Sequence, residues 1–218
     1  MSFDIKVNML KNKKILITAG PTWVPIDNVR VISNTSTGKT GILLAEDLTK
    51  RGAKITLLLG PIGAYSLNKK IKVVNFKFFD ELNSLVKNAL KKKYDAIIQA
   101  AAISDYRPIK VSKTKINSDK NILELAFKRT PKIIASLRKA ALGSFLVGFK
   151  FEPDLSGNKL VNKGRSLLKN SSLDLVVANT SKNRRYAAYL VSKEKNSGRI
   201  SSKEKMVKSL IDLLGEKI

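Results

Sequence analysis

The chain has 218 residues, 43% of them hydrophobic, enough to bury a sizeable core as one domain over 1-218. It contains no cysteine and no histidine, which excludes a disulfide framework, a thiolate metal site, a cysteine nucleophile and the commonest general base. Its net charge is +25, but the lysines are scattered in short groups such as "LKKKYD" and "KEKMVK", with no basic tail and no aromatic interleaving. A lysine-rich solvated surface is therefore a simpler reading than a nucleic-acid partner.

The opening "MSFDIKVNMLKNKK" has no apolar signal-peptide core and reads as a flexible N-terminus over about residues 1-12. No run approaches the roughly 18 apolar residues of a membrane span, so a cytoplasmic location without membrane contact is expected. "KKILITAG", Lys13 to Gly20, is a short apolar run ending in a loop and predicts a buried first strand. "GKTGILLAEDLTKR", Gly38 to Arg51, puts Ile42, Leu44, Ala45 and Leu48 near helical spacing, with Gly52 as a stop. "AKITLLLGP" and "KVVNF" predict two more strands, and "DELNSLVKNALKKK" a helix with Leu82, Leu85, Val86 and Leu90 on one face.

"YDAIIQAAAISDYRP" then reads as a strand opening into a loop. The second half continues with helix "TPKIIASLRKAA", strand "SFLVGFKFE", a helix around "LVNKGRSLLKN", strands "LDLVVANT" and "AAYLVS", and a final helix "SSKEKMVKSLIDLLGEK". This alternation predicts an α/β fold, a parallel sheet wrapped by helices. The polar, lysine-rich segment Arg107 to Asn121, "RPIKVSKTKINSDKN", predicts a mobile flap. Ligands of parallel sheets bind outside the carboxyl ends of the strands, where loops turn into helices.

One such loop is "SNTSTGKTG", Ser33 to Gly41, which ends like a Walker A motif. "VRVIS" before it would have to supply the preceding strand, but Ser33 stands where the first glycine belongs and no clear Walker B partner follows. Helix capping by the serines and threonines uses the same free N–H groups that bind anions, so the two roles are compatible.

The run "ILITAGPTWVPIDNVRVISNTSTGKTGILLAEDLTKRGAKITLLLGP" resembles the amino-terminal half of phosphopantothenoylcysteine synthetases. "AAAISDYRP", Lys115-Ile116, "TPKII", "VGFKFE" and "LDLVVAN" follow in the family's order, so the resemblance runs from about Lys13 to the carboxyl terminus. It implies a Rossmann-like three-layer fold, a homodimer and a ligation in two steps. The carboxylate of 4'-phosphopantothenate attacks the α-phosphate of CTP, carried with Mg²⁺, and cysteine's amine then displaces CMP to form an amide. That chemistry suits a chain lacking histidine and cysteine, because nucleotidyl transfer relies on positioning and positive charge.

The resemblance further implies that Asn34, Ala101, Ala102 and Asp105 lie against phosphopantothenate, with Arg30 reaching its phosphate from the neighbouring subunit. Gly20, Ser36, Gly38 and Gly41 correspond to nucleotide-contacting positions, as does Asp105. Lys115 corresponds to a flap lysine that closes over the triphosphate. Pro131, Lys132, Ile133 and Ile134, with Phe149, correspond to the nucleotide pocket. Arg165 and Lys169, four apart on one helical face, align with two basic family residues if a small insertion is allowed. Asn34 and Lys115 are the residues assigned to the chemistry; metal ligands are not assigned.

Trp23, Thr40 and Thr180 depart from the common family pattern, which leaves the choice between CTP and ATP open. No flavin is expected, since the decarboxylase region often fused before this domain is missing, and a separate decarboxylase protein is a candidate partner. Two other classes remain. An NAD(P)-binding Rossmann-type oxidoreductase would share the fold, though "TAGPTWVPID" is no G-x-G-x-x-G fingerprint and NAD(P) would have to protect the protein against heat. A basic nucleic-acid-binding protein would bind duplex DNA with an affinity falling steeply with salt.

Overall fold

A computed structural model describes residues 9–119, 121–182 and 185–218. Its centre is a seven-stranded sheet in the order β11-β10-β9-β6-β1-β4-β5. These strands are β1 (Lys14–Ala19), β4 (Lys54–Leu59), β5 (Lys72–Asn75), β6 (Ala96–Gln99), β9 (Phe145–Phe151), β10 (Leu175–Lys182) and β11 (Arg185–Val191). All neighbouring pairs are parallel except β10 with β11, which run antiparallel. The helices are α1 (Lys39–Lys50), α2 (Phe79–Ala89), α3 (Ile133–Ala140), α4 (Gly157–Asn170) and α5 (Lys203–Lys217). The expected three-layer α/β architecture is therefore present.

A parallel strand covered by helices on both faces has no polar side to show, so β1 after Lys14 is apolar except for Thr18. Its residues alternate between two cores. Ile15, Ile17 and Ala19 join Leu44 and Leu48 of α1 and Leu210, Ile211 and Leu214 of α5 on one face. Leu16 joins Phe79, Leu82 and Val86 of α2 and Ile133 and Leu137 of α3 on the other. Helix α4 packs its Leu167 and Leu168 on this second face.

Two short antiparallel ribbons stand outside the main sheet and were not expected. In one, β2 (Trp23–Pro25) pairs with β3 (Val31–Ser33); in the other, β7 (Tyr106–Pro108) pairs with β8 (Phe127–Arg129). "VRVIS" is thus a ribbon edge and no sheet strand, which removes the framework a Walker A loop requires. The expected flexible N-terminus is corrected in part. Residues 1–8 lie outside the described residues, but Leu10 is fully buried in the first core and the Asn12 amide donates to the Gly52 carbonyl at 3.0 Å.

Candidate active site

Strand order reverses between β1 and β6: β4 and β5 lie to one side of β1, and β6 and β9 to the other. The helices beyond these two central strands, α1 and α3, pack on opposite faces of the sheet, an arrangement that opens a ligand-binding crevice at the carboxyl edge. Gly20 ends β1 at φ +77°, and a Cβ there would come within 3.1 Å of the Gly60 backbone. Gly38 takes φ +69° as the residue before α1, and a Cβ on it would lie 3.5 Å from the Gly20 nitrogen. Both positions need glycine, and together they bring backbone amides to one spot. Helix α1 has no side-chain cap; the Ser36 hydroxyl accepts from the Gly38 amide at 3.4 Å.

Gly41 behaves differently from what its place in the motif suggests. A Cβ at this position would fall 2.2 Å from the Ala19 Cβ, so its lack of a side chain lets α1 lie against β1. It is buried in that seam, and only its backbone amide, in the first turn of α1, remains for a ligand. Lys39, the lysine of the Walker-like sequence, turns toward the start of α5 and pairs with Glu204 at 3.5 Å.

The loops after β1 and β6 are tied to each other. The Ala102 amide donates to the Gly20 carbonyl at 2.9 Å, and the Thr22 amide donates back to the Ala102 carbonyl at 3.2 Å. That same carbonyl accepts from Asn34 Nδ2 at 2.9 Å, which joins the loop before α1 to the loop after β6. The buried hydroxyls of Thr18 and Thr22 accept from the amides of Ala101 and Ser104. Thr18 was assigned no role from the sequence, since a threonine in a strand carries no distinctive signal.

Asp105 and the segment from Pro131 to Ile134 are also brought together. Lys132 Nζ donates to Asp105 Oδ1 at 2.6 Å, and the Thr130 amide donates to the Asp105 carbonyl at 2.9 Å. Helix α3 starts here on Lys132 without a side-chain cap, leaving its first amides free to face an anion.

Gln99, at the end of β6, is 5% exposed, and both of its amide atoms lack a hydrogen-bond partner among the described residues. Leaving such a group unpaired costs about 1–3 kcal/mol. Gln99→Met, of similar length, should therefore raise the urea midpoint of unfolding by an amount equivalent to about 1–3 kcal/mol with the m-value unchanged. An unchanged or lowered midpoint would show that the carboxamide is satisfied in solution.

Arg30 has partners within its own chain. Its Nε and Nη2 donate to Asp27 Oδ2 at 2.9 and 2.6 Å, and Nη2 also donates to the Ile116 carbonyl at 2.7 Å. Asp27 has a fully buried side chain that accepts in addition from the amides of Val29, Arg30 and Ile116. The Ile116 amide, the Arg30 guanidinium and the two local amides hold the Asp27 carboxyl well below the usual carboxylate range, against the opposing effect of its burial. A folded-state pKa below the unfolded one means that the stability it adds is complete above about pH 4 and is lost only as pH falls through the lowered value. Asp27 was quoted in the sequence pattern without a function, and the structure makes it the centre of this loop. Lys115, next to Ile116, has no ion pair or hydrogen bond from its ammonium among the described residues.

Phe149 lies at this edge, level with Ala100 in the β6–β9 register, but on the face of α1 and α5, whereas Ile133 and Ile134 belong to the opposite face. Two expected residues are not gathered at this edge. Arg165 and Lys169 lie well down α4, which must return from the carboxyl end of β9 to the amino end of the parallel β10. At 1.5 Å per residue Lys169 is about 18 Å along the helix from Gly157, and Arg165 Nη2 donates to Asn196 Oδ1 at 2.9 Å. Within one chain these two cations are therefore away from the crevice. Thr180, one of the departures from the family pattern, is 3% exposed, and its hydroxyl donates to the Pro153 carbonyl at 3.0 Å.

The family described as the DNA/pantothenate metabolism flavoprotein C-terminal domain matches residues 10–216 of the chain. The chain belongs to this family. The family's resemblance to the synthetase sequences is supported by relatives: the coenzyme A biosynthesis bifunctional protein CoaBC of Thermococcus kodakarensis is 39% identical over 175 residues. That match covers 79% of this chain and 42% of the relative, so the chain spans less than half of the relative's length. The C-terminal domain of a coenzyme A biosynthesis bifunctional protein CoaBC superposes with a TM-score of 0.78 at 25% identity, covering 96% of this chain and 97% of that one. The DNA/pantothenate metabolism flavoprotein of Streptococcus pneumoniae shares the fold, with a TM-score of 0.84 at 24% identity over 94% of this chain and 99% of that one.

Proposed function

We propose that this family member is a phosphopantothenate–cysteine ligase of coenzyme A biosynthesis, a single ligase domain over 1-218 that uses CTP. The observation that carries the reading is the junction at the switch point, where Asn34 Nδ2 meets the Ala102 carbonyl beside the Gly20–Gly38 backbone and the Asp105–Lys132 pair. The relationship to proteins named for coenzyme A biosynthesis supports the substrate class.

In this reading the 4'-phosphopantothenate carboxylate attacks the α-phosphorus, the bond to the β-phosphate oxygen breaks, and pyrophosphate leaves. The cysteine amine then attacks the acyl carbon, the bond to the CMP oxygen breaks, and the amine proton passes to solvent. Asn34 and Ala102 hold the acyl portion, while the free amides at the starts of α1 and α3, with Lys115, hold the nucleotide phosphates. Lys132 and Asp105 fix the loop between them.

Among the described residues no three acidic side chains gather into a metal cage. Asp105 supplies one carboxylate at this edge, a donor set that fits Mg²⁺ arriving on the nucleotide, since that ion is commonly held by one or two carboxylates plus phosphates. Bound there, Mg²⁺ would lessen the repulsion between the attacking carboxylate and the phosphates. The steps use no flavin.

A homodimer is part of the same proposal and is supported by apolar side chains on and around the two ribbons that are open to solvent, among them Val29, Ile32, Ile109, Ile122 and Leu123. The same site residues speak against a dinucleotide oxidoreductase, because the β1 turn lacks the glycine spacing that lets a pyrophosphate approach.

Pyrophosphate release, assayed with 4'-phosphopantothenate and each of the four nucleoside triphosphates, with and without cysteine, tests the reading. It should be fastest with CTP, and amide should form only when cysteine is present. Equal inactivity with all four nucleotides would remove the ligase assignment, and a preference for ATP would remove the CTP assignment alone.

A further inference from the structure

The expected flap does not hang free from its ribbon. After β7 the chain returns toward the loop between β2 and β3, and the Ser112 amide donates to the Ile26 carbonyl at 3.1 Å. Four residues on, both polar atoms of Ile116 are taken up. Its amide donates to Asp27 Oδ2 at 3.0 Å, and its carbonyl accepts from Arg30 Nη2 at 2.7 Å. Asp27 and Arg30 are themselves joined through Nε and Nη2, so one charged pair grips the amide and the carbonyl of a single flap residue.

We propose that Asp27 is a positioning residue that, with Arg30, latches the flap at Ile116 and so aims the neighbouring Lys115 at the nucleotide. Asp27 touches no reacting atom in this account; it acts through Lys115. The carboxylate is suited to this because all of its hydrogen bonds come from donors that cannot lose their protons near neutral pH: three backbone amides and a guanidinium. Its burial removes competition from water. Because Arg30 Nη1 has no hydrogen bond among the described residues, its two protons remain available while Nε and Nη2 hold Asp27 and the flap. Arg30 can therefore bind a phosphate and serve the latch at once.

The inference rests on the ligase reading for the role of Lys115, but the latch itself can be tested without any reaction. In Asp27→Asn, one oxygen remains to accept from an amide, but the charge that holds the guanidinium is gone. Hydrogen exchange of the Ile116 and Ser112 amides should quicken about tenfold to a hundredfold, the factor that a lost hydrogen bond to a charged group is worth. Exchange in β1 and β6 should not change, which separates flap release from general unfolding. Flap exchange equal to that of the wild type would overturn the latch, as would equal acceleration throughout the core.

The kinetic arm is a double-mutant cycle on pyrophosphate release with Asp27→Asn and Lys115→Gln. If Asp27 acts through Lys115, adding Asp27→Asn to Lys115→Gln should cause little further loss, while Asp27→Asn alone slows the wild type. Losses that simply multiply would show that Asp27 does not act through Lys115 and would overturn the positioning role. If the wild-type chain releases no pyrophosphate with any nucleotide, the ligase reading and this role of Lys115 fail together, whereas the exchange result still decides whether the latch exists.

Discussion

Asn34→Asp should nearly abolish amide formation while pyrophosphate is still released. Asn34 presents a neutral carboxamide at the junction of the two loops, with Nδ2 2.9 Å from the Ala102 carbonyl. Each Asn amide nitrogen carries two protons, so the one not given to Ala102 remains for an oxygen of the acyl intermediate. Attack by the cysteine amine drives negative charge onto that oxygen, and removing one donor of this kind costs roughly 10²–10³ in rate.

The aspartate variant removes both protons and sets a carboxylate against a carbonyl. The Ala102 backbone nevertheless keeps its bonds with Gly20 and Thr22, so the frame of the crevice should survive and the first step with it. Mass spectrometry of the quenched reaction should show acyl-cytidylate accumulating with little amide. Ligation at the wild-type rate would remove Asn34 from the mechanism and leave it as a tie between loops.

Lys115→Gln should slow pyrophosphate release by about 10²–10³, the scale on which a single pre-placed electrostatic partner acts in the transition state. The loss should fall on the first step, where charge spreads over the phosphates, because the ammonium is a point charge that glutamine does not replace. The fold should be untouched, since the Lys115 side chain is in an exposed segment and makes no ion pair among the described residues. A thermal midpoint equal to the wild type's together with slow pyrophosphate release is the expected pair of results. Unimpaired release would assign the flap to some role other than holding the nucleotide.

The parts of the fold that were legible in the sequence are those where one physical signal dominates. The β1 and β4 segments are buried on both sides and show it as runs that are apolar but for one threonine each after the first lysine, and α1 and α2 carry their core residues at helical spacing. The ribbons were not legible. Val31, Ile32 and Ser33 are all exposed, as are Phe127, Lys128 and Arg129, so backbone pairing shapes these strands without imposing any hydrophobic alternation.

The site divides in the same way. Gly20 and Gly38 were expected from the family resemblance alone, and their physical reason, a φ > 0 that other residues adopt with difficulty, appears only in the fold. Gly41 sits in the same motif, but its reason is the contact with Ala19, which only the packed helix and strand reveal. The i, i+4 spacing of Arg165 and Lys169 establishes a shared helix face and says nothing about which end of the sheet that face meets. Asp27 was hidden for a different reason: the donor that matters most to it, the Ile116 amide, lies 89 residues away.

Ligase activity is measured by incubating the purified chain with 4'-phosphopantothenate, cysteine and CTP with Mg²⁺ and determining the products by mass spectrometry. A CTP-dependent ligase yields a species of the mass of phosphopantothenate plus cysteine less one water, formed with one CMP and one pyrophosphate per amide, and absent when any one substrate is withheld. No such species, or an amide that forms without consuming a nucleotide, would contradict the ligase assignment.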